Sequence, residues 1–94
     1  MEIKIYSEVK INKEYEEYIK EKIEKLKRFI FDNGYVEFYI KKDGPIFLIE
    51  IYLHSKNIKV FLKEKNNEMN KGVEILLDKT KVKLRKLHDK IVNK

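Results

Sequence analysis

Two sets of lysines are spaced so that they could do chemistry. Lys79, Lys83, Lys86 and Lys90 recur at steps of three or four residues. At roughly 100° per residue such steps make one row along a helix. A row of ammonium groups neutralises a line of phosphates and releases their counterions. Lys81 and Arg85 fall on the other flank of that helix, and Glu74, Asp78 and Asp89 lie roughly opposite its apolar side. Earlier in the chain, Lys22 sits inside an apolar stripe between Tyr18 and Phe29, with Lys25 one turn on. A lysine in such a stripe can snorkel, burying its stem and keeping its head wet. The sharper expectation is that Lys22 and Lys25 meet Lys79, Lys83 and Lys86 across a groove between two helices. Such a groove suits RNA phosphates, read by shape and backbone charge. Lys22, Lys25, Lys79, Lys83, Lys86 and Lys90 are therefore the candidate RNA-binding residues. The plain alternative is a solvated lysine face.

Other chemistry is poorly supplied. The chain has no cysteine, which excludes disulfides, thiolate nucleophiles and zinc-thiolate sites. His54 and His88 have no companion ligands at metal spacing. Neither a glycine-rich phosphate loop nor a Ser-His-Asp pattern stands out. An enzyme is not expected, nor a cofactor or metal.

The elements that must hold these lysines follow from periodicity. Met1 to Tyr6 alternates apolar and polar, as a half-buried strand does. Asn12 is a good N-cap, and Glu14, Glu16 and Glu17 follow where the helix dipole favours anions. Tyr15, Ile19, Ile23, Leu26 and Ile30 then recur at helical spacing. Lys27 and Arg28 suit the negative end, and Gly34 suits a left-handed cap. Tyr35 to Lys41, Ile46 to His54 and Ile58 to Glu64 read as strands, separated by short turns at Asp43-Gly44-Pro45 and Ser55-Lys56-Asn57. Asn66-Asn67 caps a final helix whose stripe is Met69, Val73, Leu76, Leu77, Thr80, Leu84, Leu87 and Ile91. The expected fold is α+β: a two-layer βαβββα domain over residues 1–94, a four-stranded mixed sheet with two helices packed on one face. The other face would carry Tyr6, Tyr39, Leu48, Tyr52 and Phe61, screened by lysine stems, open to a partner, or serving as a stacking platform for single-stranded RNA.

Composition narrows the class of partner. Charged residues make up 40% and hydrophobic residues 43% of the chain, a globular balance rather than a disordered one. Net charge is +6. Residues 66–94 hold 8 cations and 4 anions, net +4, so most of the excess lies in the last helix. An anionic partner is implied: nucleic acid, the ribosome or an acidic membrane surface. No signal peptide is visible, and no apolar run approaches the ~20 residues needed to span a bilayer. A cytoplasmic protein with no membrane partner is expected.

The order of elements and their residues resemble the short ribosome hibernation promoting factors and ribosome-associated inhibitors. Ile11 to Phe29, INKEYEEYIKEKIEKLKRF, is similar to that family's first helix. IEIYLH at Ile49 to His54 is similar to its Val-Glu-Val-Thr-Leu-His strand. Met69, Glu74, Asp78-Lys79, Leu84 and Lys86 follow its last helix. Asn70, Gly72-Val73, Thr80 and Val82 depart from it, and Val82 stands where the family has a cation. The resemblance is to the family's short form, so the second, dimerising domain of its long forms is not expected. The resemblance implies binding to the small ribosomal subunit and its rRNA, in the channel where mRNA and tRNAs sit, with translation inhibited under stress. Two other functions fit the residues: a general double-stranded-RNA-binding module, and a protein-interaction domain that uses the outer sheet face, with weak self-association there.

Overall fold

The computed structural model describes residues 1–93. Its elements are β1 (Glu2–Ser7), α1 (Lys13–Glu24), a 3-10 helix (Lys25–Phe29), β2 (Tyr35–Asp43), β3 (Ile46–Ser55), β4 (Ile58–Asn66) and α2 (Met69–Val92). The sheet order is β1-β2-β3-β4, with β1 parallel to β2 and the other pairs antiparallel. Together they make the expected α+β βαβββα fold with a four-stranded mixed sheet.

Strand alternation sorts the two faces. Val36, Phe38 and Ile40 of β2, and Ile49, Ile51 and Leu53 of β3, are fully buried beneath the helices. Ile19 and Ile23 of α1 and Val73, Leu76 and Leu84 of α2 close the core from above. Thr80 is buried among them and donates its Oγ1 hydrogen to the Leu76 carbonyl at 2.7 Å, which meets its polar requirement inside the helix. Gly72 lets α2 settle on β3: a Cβ there would stand 2.6 Å from Ile49 Cδ1.

Three local expectations are corrected. The first helix does not run regularly to Ile30. It tightens after Glu24 into the 3-10 helix, and Ile30 is extended. Leu26 and Phe29 are spaced by three, and a 3-10 helix of three residues per turn puts them on one side. Gly34 has φ 69°, but it turns the chain into β2 five residues after the helix has ended, and so is not its cap. The N-cap of α2 is Glu68, with no side-chain cap bond. Asn66 instead accepts a hydrogen bond from the Glu68 N–H at 2.8 Å. At α1 the expected cap is present: Asn12 Oδ1 accepts from the Tyr15 N–H at 2.7 Å.

Candidate nucleic-acid interface

β1 leads into α1, which returns to β2, so α1 covers that half of the sheet, while α2 packs on β4 and β3. Both helices run the same way. Tyr18 meets Glu74 at one end, and the 3-10 helix meets His88 at the other. Between them lies a groove of about 370 Å³. Lys22, Lys25 and Arg28 line it from the first side, and Lys81 with Glu74 and Asp78 from α2, over Leu26 and Leu77. Four cations thus share it with two carboxylates.

The acidic end of the groove is already engaged. The Tyr18 hydroxyl donates to Glu74 Oε1 at 2.5 Å, and that bond raises the phenol's pKa. Lys22 Nζ lies 5.5 Å from the centre of the Tyr18 ring, which the ring's negative face favours. Lys22 is half-buried and lines the groove, as a snorkelling lysine would.

The six predicted lysines separate into two groups. Lys22 and Lys25 line the groove. Lys79, Lys83 and Lys86 gather on the opposite flank of α2, beside Leu62 of β4 and the exposed Val82. Lys90 continues that flank. The expected meeting of Lys22 with Lys79, Lys83 and Lys86 does not occur. Because α2 lies over β3 and β4, its far flank hangs over the β4 edge, and Lys81 and Arg85 turn toward the first helix. Lys79 is also partly neutralised: its Nζ is 2.6 Å from Glu64 Oε1. Sequence reasoning missed Arg28, Lys81 and Arg85 as site residues, although the helical wheel placed Lys81 and Arg85 together.

The outer sheet face carries the aromatic residues expected there. Tyr6 and Tyr39 stack at 5.1 Å, and Tyr52 and Phe61 meet at 6.0 Å. Lys41 and Lys63 lie over the Tyr39 and Phe61 rings. Glu50, at the centre, is only 9% exposed and accepts from Lys41 Nζ at 3.3 Å. Tyr6, Tyr52 and Phe61 remain exposed. Among the described residues, no cluster of His, Cys, Asp and Glu could hold a metal ion, and no helix is long and apolar enough to cross a membrane.

The N-terminal domain of Protein Y from Thermus thermophilus superposes with a TM-score of 0.81 at 16% identity, covering 92% of this chain and 98% of that one. A ribosomal subunit interface protein from Coxiella burnetii superposes with a TM-score of 0.74 at 18% identity, covering 92% and 96%. At such identities the likeness is one of fold. No curated protein matches the sequence. The family model described as Sigma 54 modulation protein / S30EA ribosomal protein matches residues 3–92. With nearly the whole chain inside that match, the protein belongs to this family of ribosome-associated, non-enzymatic factors.

Proposed function

We propose that this protein is a ribosome hibernation factor. It binds the small ribosomal subunit through rRNA in the mRNA and tRNA channel, and it inhibits translation under stress by occupying that channel. The observation that carries this reading is the cationic groove between the two parallel helices. Lys22, Lys25, Arg28 and Lys81 bind backbone phosphates there, while Glu74 and Asp78 keep the strand toward the basic end. Lys83, Lys86 and Lys90, with Lys79 when Glu64 releases it, offer a second line of cations along the β4 edge. The action is occupancy, works in the cytoplasm and needs no cofactor.

The test is sedimentation. Purified protein mixed with separated subunits and run on a sucrose gradient should travel with the small subunit and reduce translation in a cell-free reaction. Equal affinity for free RNA duplex and for small subunits would instead make it a general double-stranded-RNA-binding module. The exposed Tyr52 and Phe61 favour one further role, weak self-association through the outer sheet face. That role requires concentration-dependent assembly which Tyr52→Lys abolishes.

A further inference from the structure

Three aromatic rings, Phe29, Phe31 and His88, and both arginines of the chain collect next to the Arg28 end of the groove. Arg28 and Arg85 are the only arginines among the 22 basic residues. Both guanidinium groups lie over one ring, Phe29, at 4.7 Å and 6.0 Å from its centre. His88 meets Phe29 edge-on at 6.1 Å and stacks on Phe31 at 5.3 Å, with 8° between the planes. Phe31 nevertheless remains 44% exposed. With His88 on one side, the rest of its surface is open to solvent, and His88 also touches the Phe29 ring that carries both arginines.

Phe31 is also held in place. Before it, Ile30 is buried at 9% exposure. After it, Asp32 accepts hydrogen bonds from Ser55 Oγ at 2.7 Å and from the Lys56 N–H at 3.1 Å. The Ser55 bond in particular lowers the Asp32 pKa, so the carboxylate stays ionised and the anchor persists at neutral pH. A large apolar ring is thus fixed in water, three residues beyond the Arg28 that lines the cationic groove.

The geometry points to a nucleotide-stacking site formed by Phe31 and His88 with Arg28 and Arg85, which takes one unpaired base of an RNA whose backbone lies in the groove. Two properties select this occupant. Planar guanidinium forks suit phosphate oxygens better than ammonium groups do, and the arginines are found only here. An exposed ring backed by a stacked partner suits the face of a base, and unpaired RNA bases are recognised on such rings. A duplex alone would use the lysines and leave Phe31 idle. The inference rests on the RNA-binding reading above and adds what the site recognises: a bulge, loop or end rather than continuous helix.

The experiment uses two short RNA duplexes, one with a single bulged 2-aminopurine and one with an abasic residue at the same place. The protein should prefer the bulged base by about tenfold, the scale of one base stacked on an aromatic ring. It should also quench the 2-aminopurine fluorescence. F31L keeps an apolar side chain at an exposed position but removes the ring; it should melt like the parent and abolish both the preference and the quenching. Equal binding of the two RNAs by the parent, or a preference that survives F31L, overturns the proposal. So does an F31L that weakens small-subunit binding when no base preference exists, since Phe31 would then touch protein. A parent that shows the preference but does not sediment with small subunits would refute the ribosomal reading and leave this site standing.

Discussion

Reversing Lys22 and Lys81 together to Glu tests the groove most directly. Both line it from opposite helices, and both are half-buried at its rim rather than in the core, so the fold should survive. Each phosphate neutralised contributes roughly 0.7–0.9 to the log–log salt slope. Four groove cations therefore give a slope of at least about −3, and the double reversal should reduce its magnitude by about 1.5. Between roughly 50 and 200 mM salt, the parent should lose about eightfold more affinity than the variant. The assay is co-sedimentation with purified small subunits over a salt series. K83E/K86E, on the β4 flank, should reduce the slope by a similar amount if RNA also lies along that edge. K20E/K27E is the control: both side chains are exposed, outside the groove, and the net charge falls from +6 to +2 as in the other two variants. An equal loss of slope in the control would refute a placed site and leave only bulk attraction. A flat salt response in the parent would make the basic groove solvated surface.

Three further outcomes follow from the core. Leu84→Ala, at a fully buried position mid-helix, should cost roughly 2–5 kcal/mol in urea unfolding, and a loss below about 0.5 kcal/mol would mean the helix is wrongly phased. Gly72→Ala should destabilise by roughly 1 kcal/mol despite better helix propensity, because its Cβ would meet Ile49 Cδ1 at 2.6 Å. Ile49→Val deletes that carbon, so the double variant should cost clearly less than the sum of the singles; strict additivity would rule out the collision. The Tyr15 phenol is pushed up to about 12, first by burial, and its hydroxyl has no hydrogen-bond partner among the described residues. The folded state holds that proton more tightly than the unfolded chain, so its contribution is complete below pH 10 and is lost as pH rises from 10 through about 12. Tyr15→Phe should make this part of the stability profile less steep, the raised phenols of Tyr18, Tyr35 and Tyr39 keeping the remainder, and be neutral or slightly stabilising at pH 7, which thermal melts across the range would check.

The strands were legible because one buried face imposes a two-residue period, and Val36-Phe38-Ile40 and Ile49-Ile51-Leu53 follow it. Asn12 was legible because capping is decided within three residues. The end of α1 was not, since at Leu26 and Phe29 a single spacing of three fits a regular helix as well as a 3-10 helix. The pairing of lysines across the groove failed for a different reason. A helical wheel divides α2 into two flanks, but which flank meets the other helix depends on sheet order. The order β1-β2-β3-β4 puts α2 toward the β4 edge, and that alone selects Lys81 and Arg85 over Lys79 and Lys86. Phe31 carried no periodic signal, because it lies between elements and is fixed by contacts from Asp32 to Ser55 and Lys56, more than twenty residues on.

Having helices on one face only also governs what lies opposite the groove. The Cα framework is a plate, 45 × 22 × 15 Å. An RNA wall that holds the groove side would be resurfaced: its phosphates are covered, and in their place stands a veneer of tyrosine and phenylalanine rings with Glu50 sunk at its centre. A later arrival at that wall would meet phenols where it formerly met charge. Eviction and recognition of the bound protein would therefore begin on the bare side of the sheet, with chemistry unrelated to the grip beneath it.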